Sequence, residues 1–110
     1  MTAKLLVVGG GKMGEALIAG LVASGWAAAG EIAVVERLPE RREELTARMP
    51  GLVVTDAAAP AEGVVLAVKP QDVVPACAEL VAPGRVLSIA AGVTIATLEG
   101  ALPPGTPVVR

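Results

Sequence analysis

Short apolar runs alternate along the chain with longer stretches in which apolar residues recur at helical spacing. The runs are rich in β-branched residues, as buried strands are. They predict strands at residues 4–8, 32–36, 52–55, 64–68 and 86–89, with a sixth near the end of the sequence. Helices are predicted at about residues 12–24, 39–49 and 73–81, with a short one ending near residue 100. We therefore expect an α/β fold, a Rossmann-type doubly wound parallel sheet truncated near its sixth strand.

Local signals predict how some helices begin and which residues face the core. Asp72 and Thr94 are candidate N-caps, and residues 56–62 predict at most a short helical turn. Glu44 and Arg48 have the i,i+4 spacing of an exposed ion pair. The predicted inward face of the first helix comprises Met13, Ala16, Leu17, Gly20 and Leu21.

The composition narrows the class of protein. A chain of 110 residues has room for one domain with one core. Its 9 basic and 11 acidic residues nearly balance, and Trp26 is its only aromatic residue, so the basic surface and stacking platforms of a nucleic-acid binder are missing. No stretch has the 18 consecutive apolar residues of a membrane span. Because Cys77 is the only cysteine, neither a disulfide framework nor a cysteine metal cluster is expected. Together these features predict a soluble, cytoplasmic domain with no metal, membrane or nucleic-acid partner.

The sequence LLVVGGGKMGE, between the first strand and the first helix, matches the G-x-G-x-x-G dinucleotide fingerprint. The three glycines of the match are Gly9, Gly11 and Gly14. The first would allow a tight turn, the second a close approach of backbone to pyrophosphate, and the third close packing of helix on strand. Gly10 fills a variable position. A P-loop is rejected, because Met13 lacks the hydroxyl that binds magnesium and Leu6 stands where that loop needs a glycine.

The end of the second strand bears on the choice of dinucleotide. Glu36 stands where a carboxylate would bond the adenosine 2′-hydroxyl and favour NAD. Arg37 follows it, and an arginine is suited to holding the 2′-phosphate of NADP. Arg41 and Arg42 are interpreted as a solvated helix start. The pattern favours NADP(H) and leaves NAD(H) open.

The strand at residues 64–68 is predicted to return beside the first strand, at the point where ligands bind in doubly wound sheets. The loop that follows it, with Lys69 and Pro70, would then face the glycine loop. A lysine after a strand is more often simply solvated. The loop at residues 90–92 is small enough to let a flat ring lie against backbone, although it also fits an ordinary turn.

Three segments together resemble the N-terminal domain of pyrroline-5-carboxylate reductase: GGGKMGEALIAGL, AVKPQDV and SIAAGVTIATLEGALPPGTPVVR. The resemblance implies a cytoplasmic enzyme that passes a hydride from NAD(P)H to the C=N carbon of 1-pyrroline-5-carboxylate, giving L-proline in the last step of proline biosynthesis. It implies that the pyrophosphate is lined by Gly9, Gly11, Lys12, Met13 and Gly14. It implies that the nicotinamide half is lined by Ala67, Val68, Lys69, Pro70, Ala90, Ala91 and Gly92. Related reductases often have Asn-Arg where this sequence has Glu36-Arg37.

The family continues into a helical domain that makes the dimer and builds the substrate pocket, whereas this sequence ends at Arg110. We expect a cofactor-binding domain of a homo-oligomeric enzyme, with no catalytic residue of its own, because histidine and tyrosine are absent and the carboxylates fall mostly on helix surfaces. The 110 residues alone should be inactive. Two alternatives remain open: a domain of an F420-dependent NADP oxidoreductase, or a non-catalytic nucleotide-binding module or fragment.

Overall fold

The computed structural model describes residues 3–110, which form a six-stranded parallel sheet in the order β3-β2-β1-β4-β5-β6. The strands are β1 (Ala3–Val8), β2 (Ile32–Val35), β3 (Val53–Thr55), β4 (Ala61–Leu66), β5 (Arg85–Ser88) and β6 (Val108–Val109). The helices are α1 (Lys12–Ala23), α2 (Pro39–Arg48), α3 (Val73–Glu79) and α4 (Ile95–Ala101), with 3-10 turns at Ala29–Glu31 and Pro70–Asp72. The strand order reverses between β1 and β4, so the predicted doubly wound fold is confirmed.

The sheet is buried on both faces around its centre. On one face Leu5, Val7 and Val34 pack with Ile18 of α1 and Leu45 of α2. The residues that alternate with them face the other side, against α3 and α4. Members of that second cluster are Leu6, Val8, Val35, Leu66, Val73, Cys77 and Leu98. The β-branched runs therefore form strands because both faces are covered by helices.

Strand β4 is displaced from its predicted bounds, since it starts at Ala61 and ends at Leu66. Alanine and glutamate are weak strand formers, but Ala61 lies opposite Ala3 and Gly63 opposite Leu5 in a regular parallel register. Pairing with a buried neighbour has outweighed local preference. Residues 56–62, predicted to form at most a short helical turn, form none. The predicted strand residues Ala67 and Val68 belong to the loop after β4.

The buried face of α1 also differs from the prediction. Gly14 and Ile18 are its fully buried residues, whereas Met13 is 64% exposed. Leu17 and Leu21 are packed at the edge of the core. The glycine loop sets this phase, because Gly14 must lie against Gly9 where the helix leaves the strand.

Both predicted N-cap residues stand at the start of a helix, and one of them makes a capping hydrogen bond. The Thr94 hydroxyl accepts a hydrogen bond from the Thr97 N–H at 3.1 Å and starts α4. Asp72 makes no such bond, because it ends the 3-10 turn that begins at Pro70 and its backbone is helical (φ −97°, ψ −5°). A capping side chain normally goes with extended backbone, so Asp72 stands at the predicted N-cap position of α3 without capping it.

Part of the sheet is uncovered on the face that packs against α1 and α2. Leu87 is 36% exposed and Val109 59% exposed, and with Trp26 they line a shallow cavity of about 330 Å³. Lys4 lies over the Trp26 ring, its Nζ 4.2 Å from the ring centroid. Within residues 3–110, no helix is long and apolar enough to cross a membrane.

Candidate functional site

Several loops meet at the edge of the sheet where the parallel strands end. The Gly9 N–H donates to the Val35 carbonyl at 3.0 Å, and the Ala67 N–H donates to the Val8 carbonyl at 2.8 Å. The Ile89 N–H donates to Leu66 in the same way. These bonds continue the strand pairing for one residue beyond the ends of the strands. The predicted loops after β1, β2, β4 and β5 therefore begin at the same edge of the sheet.

The backbone angle and the surrounding space differ among the three glycines of the fingerprint. Gly9 has φ +108°, and a Cβ there would lie 2.5 Å from the Ala67 carbonyl oxygen. A Cβ on Gly14 would come closer than 3.0 Å to the Gly9 carbonyl oxygen. Gly11 has an ordinary backbone (φ −72°, ψ −172°) and a Cβ there would meet nothing within 4 Å. Close contacts within the fold explain the first and third glycines, while no such contact excludes a side chain at the second.

Gly10, at a variable position of the fingerprint, is also closely packed. A Cβ on it would lie 2.8 Å from Leu45 Cδ1 and 3.0 Å from Glu36 Oε1. The Gly10 N–H donates to Glu36 Oε1 at 3.1 Å, and the Leu38 N–H donates to Glu36 Oε2 at 2.9 Å. The Glu36 carboxylate therefore ties the glycine loop to the start of α2.

The N-terminus of α1 points its first N–H groups out of the glycine loop. Gly11 is the N-cap and no side chain caps the helix. The first i→i−4 bond runs from the Glu15 N–H to the Gly11 carbonyl at 2.9 Å, so the N–H groups of Lys12, Met13 and Gly14 precede the helical ladder. Free N–H groups and the positive end of the helix dipole are the features of helix N-termini that favour anions.

Arg41 is not the solvated residue that the sequence predicted. Its side chain is 17% exposed, and its Nε donates to the Gly10 carbonyl at 2.6 Å. Its other nitrogens bond Glu15 Oε1 at 2.6 Å and Glu44 Oε1 at 2.8 Å. The predicted Glu44–Arg48 pair is wrong, because Arg48 bonds Glu15 instead, at 3.1 Å.

The contacts within this cluster shift the pKa values of Glu15 and Arg41. Hydrogen bonds from Arg41, then from Arg48, lower the pKa of Glu15 below its usual value. Hydrogen bonds to Glu44 and Glu15 raise the pKa of Arg41. Both groups are therefore charged at neutral pH, and the loop carbonyl of Gly10 is held by a permanent cation.

A cavity of about 240 Å³ lies beside the glycine loop, between the end of β2 and α3. The predicted site residues that line it are Gly9, Glu36, Arg37 and Val68. The helical face opposite them consists of Asp72, Pro75, Ala76 and Glu79. Drug-sized ligands need roughly 300–1,000 Å³, so this cavity suits one end of a dinucleotide and the remainder would lie along the open loop.

Charged side chains surround the mouth of this cavity. Arg37 Nη2 donates to Glu79 Oε1 at 2.6 Å, with side chains 70% and 56% exposed respectively. Arg42, also predicted to be solvated, donates to the backbone carbonyls of Glu36 and Arg37 at 2.9 Å each. The arginine after β2 thus has a fixed backbone and an exposed, movable side chain.

The other predicted site residues lie at the same edge but outside the cavity. Lys69 and Pro70 are exposed, and the Lys69 carbonyl accepts the Asp72 N–H at 2.8 Å to form the turn into α3. Ala90 follows β5 and its N–H donates to the hydroxyl of buried Ser88 at 3.3 Å. The remaining members of the predicted set outside the cavity are Gly11, Lys12, Met13, Gly14, Ala67, Ala91 and Gly92.

Two residues that bear on the site, Glu79 and Arg41, were not assigned to it from the sequence. Glu79 shares a helical face with Asp72 and Ala76, and the i, i+4, i+7 spacing could have shown that they face one feature. Arg41 contacts Gly10 across 31 positions of sequence, and no local pattern marks that contact. Cys77 lies in the core, away from the site, and burial raises the pKa of its thiol.

Several known proteins are similar to this chain in sequence. The family described as NADP oxidoreductase, coenzyme F420-dependent, matches residues 4–92. The pyrroline-5-carboxylate reductase of Mycobacterium leprae is 43% identical over 119 residues, covering 98% of this chain and 40% of the relative. The chain thus spans about two fifths of the length of the curated relatives it matches.

Solved structures show the same fold. A pyrroline-5-carboxylate reductase from Coxiella burnetii has a TM-score of 0.86 at 29% identity, covering 98% of this chain and 43% of its own. The Plasmodium falciparum pyrroline carboxylate reductase, solved with NADP bound, has a TM-score of 0.73 at 20% identity, covering 96% and 40%. The predicted resemblance is confirmed: the chain belongs to the family described as coenzyme F420-dependent NADP oxidoreductases and is similar to the N-terminal domain of pyrroline-5-carboxylate reductases.

Proposed function

We propose that these residues bind the pyridine dinucleotide of an enzyme that reduces 1-pyrroline-5-carboxylate to L-proline. The observation that carries the proposal is the open space at Gly11, where nothing in the fold excludes a side chain. A glycine at that place is explained by a phosphate that must approach the backbone. The relatives at 40–43% identity, all pyrroline-5-carboxylate reductases, supply the reaction.

Each part of the site has a role in this proposal. The pyrophosphate lies on Gly9, Gly11 and Gly14, with the N–H groups of Lys12 and Met13 at the helix N-terminus. Adenosine occupies the cavity between Arg37 and α3. The nicotinamide half lies along the loops after β4 and β5, which comprise Ala67, Val68, Lys69, Pro70, Ala90, Ala91 and Gly92. A bound reduced nicotinamide would supply the hydride, and the chain's own residues bind and orient the coenzyme.

We infer a preference for NADP(H), with NAD(H) also accepted. Arg37 is exposed at the cavity and can turn its guanidinium toward a 2′-phosphate. The Glu36 carboxylate already accepts the N–H groups of Gly10 and Leu38, so it is held against the backbone, where it repels a phosphate less than a free carboxylate would. The fold is also known with NADP bound, in the Plasmodium falciparum enzyme.

The substrate pocket is proposed to lie on a second, helical domain that also makes a homo-oligomer, in a cytoplasmic enzyme. The exposed apolar surface around Leu87 and Val109 is consistent with further protein packing on the sheet. The sequence has no histidine or tyrosine to act as a general acid. We therefore expect no reduction of 1-pyrroline-5-carboxylate by the 110 residues alone, as followed by NADPH oxidation at 340 nm.

Calorimetric titration of the chain with NADPH and with NADH tests the binding proposal. Both coenzymes should bind, and Arg37→Ala should weaken NADPH about tenfold while leaving NADH within twofold, since only NADPH carries the 2′-phosphate. Arg110→Ala is a matched control, because Arg110 is bonded to the Val93 carbonyl and does not line the cavity. If wild type binds neither coenzyme, the proposal is refuted. If Arg37→Ala weakens the binding of both coenzymes equally, the assignment of Arg37 is refuted.

A second candidate is favoured by the family description itself, which names coenzyme F420. A domain that transfers hydride between NADP and a deazaflavin would need a wide crevice beside Ala90–Gly92. Titration with F420 and with NADPH, each followed by coenzyme fluorescence, separates the two. Saturable binding of F420 to the chain with NADP(H) already bound would favour the deazaflavin reaction over imine reduction.

A further inference from the structure

The adenosine cavity has a carboxylate opposite its proposed phosphate-binding arginine. Arg37 follows β2 and Glu79 ends α3, yet Arg37 Nη2 lies 2.6 Å from Glu79 Oε1. Both side chains line the cavity, and both also line the neighbouring hollow that contains Arg42 and Asp56. The ion pair therefore joins the two walls between which adenosine would lie.

Glu79 differs from the other carboxylate at this end of the site. Glu36 is tied to the backbone through two N–H groups. For Glu79 the structure, over residues 3–110, gives one side-chain bond, to Arg37. Exposed ion pairs contribute little to stability, so this one can open without disturbing the fold.

The pair has different consequences for the two coenzymes. A 2′-phosphate needs the Arg37 guanidinium, so it must displace Glu79 and then lie near a second negative charge. A 2′-hydroxyl has no charge and does not compete for the guanidinium. A carboxylate in this place therefore weakens the binding of NADPH and leaves that of NADH nearly unchanged.

We propose that Glu79 is a specificity-determining residue, whose carboxylate competes with the coenzyme 2′-phosphate for Arg37 and so moderates the preference for NADPH. This inference rests on the proposed coenzyme function and adds a residue on α3 to it. It follows that coenzyme preference is set by both walls of the cavity, and not by the end of β2 alone.

The test is calorimetric titration of the 110-residue chain with NADPH and NADH, for wild type and Glu79→Gln. Glutamine keeps the shape and can still accept a hydrogen bond from Arg37, but it removes the charge. NADPH should bind about three- to tenfold more tightly and NADH should stay within twofold. Glu99 is an exposed residue of α4 outside the cavity. Glu99→Gln therefore removes the same charge elsewhere and should change neither affinity.

A double variant shows whether the effect passes through Arg37. In an Arg37→Ala background, Glu79→Gln should change NADPH affinity by less than twofold. The inference is overturned if Glu79→Gln leaves the NADPH:NADH affinity ratio unchanged, or if the gain persists without Arg37. Those failures differ from failure of the proposed function, in which wild type binds neither coenzyme.

Discussion

Gly11 and Gly14 are three residues apart in one loop, and alanine should affect them in opposite ways. At Gly14 an added Cβ would come closer than 3.0 Å to the Gly9 carbonyl oxygen, a backbone atom held in the sheet through the Gly9 N–H. At Gly11 the Cβ would meet nothing within 4 Å. Gly14→Ala should therefore damage the fold, and Gly11→Ala should damage binding alone.

The stability changes follow from these contacts. Overpacking against backbone costs about 1–3 kcal/mol, and about 2 kcal/mol lowers the Tm of a domain this size by roughly 8–16 °C. Gly11→Ala gains about 0.4–1 kcal/mol from the unfolded chain and loses a comparable amount because alanine is a poor N-cap. Its unfolding free energy should therefore stay within about 1 kcal/mol of wild type.

Binding should change in the opposite order. The methyl group of Gly11→Ala occupies the space where the pyrophosphate would approach the helix N-terminus. Loss of one charge-assisted hydrogen bond costs about 1.5–3 kcal/mol, which weakens NADPH and NADH alike by roughly ten- to a hundredfold. Thermal melts followed by circular dichroism, together with calorimetric titration of both coenzymes, measure the two effects.

Gly20→Ala is the matched control, because Gly20 lies within α1 and a Cβ there also meets nothing within 4 Å. It should raise stability by up to about 1 kcal/mol through helix propensity and leave both affinities unchanged. Wild-type affinity in Gly11→Ala would refute the placement of the pyrophosphate. An unchanged Tm in Gly14→Ala would refute the packing reason for that glycine.

Three further changes test the surroundings of the loop. Arg41→Met keeps the apolar stem but removes the donor to Gly10, so urea unfolding should show a loss of about 1–2 kcal/mol, and titration should show both coenzymes weakened alike. The lowered pKa of Glu15 stabilises the fold above the usual carboxyl pKa near 4.5, and this stability is lost as pH falls through the lower folded value. The difference in urea midpoint between wild type and Glu15→Gln should therefore shrink below pH 4.5, and a constant difference would contradict it. Leu45→Ala empties a fully buried site and should cost about 2–5 kcal/mol by urea unfolding, whereas a loss under 1 kcal/mol would contradict its place in the core.

The sequence predicted the parts of the fold that are determined locally. The β-branched runs of β1, β2 and β5 were placed within about one residue of their observed bounds. The start of β4 at Ala61 was not, because its strand conformation comes from pairing with β1. The face of α1 was also predicted wrongly, since the contact of Gly14 with Gly9 fixes the rotation of the helix, and spacing of apolar residues alone does not reveal that contact.

For the candidate site too, the roles that depend on local contacts were predicted and those that depend on long-range contacts were not. Gly9 and Gly14 have the turn and packing roles that the fingerprint predicted, because both depend on adjacent elements of one βα unit. Arg41 and Glu79 could not be assigned, since they meet Gly10 and Arg37 across 31 and 42 positions of sequence. The pattern of residues marks the loop, and only the fold shows which distant charges surround it.

The contacts that hold Gly10 and the contact between Arg37 and Glu79 should affect different properties: the first coenzyme affinity, the second the choice between coenzymes. The Gly10 N–H is bonded to Glu36 and its carbonyl to Arg41, so the glycine loop is held in one orientation before any coenzyme arrives. Such preorganisation lowers the cost of ordering the loop on binding, and it acts equally on NADPH and NADH. The Arg37–Glu79 pair is exposed, and in the proposed binding mode it would face the one group in which the coenzymes differ. Substitutions at Arg41 should therefore shift both dissociation constants together, whereas substitutions at Arg37 or Glu79 should shift their ratio.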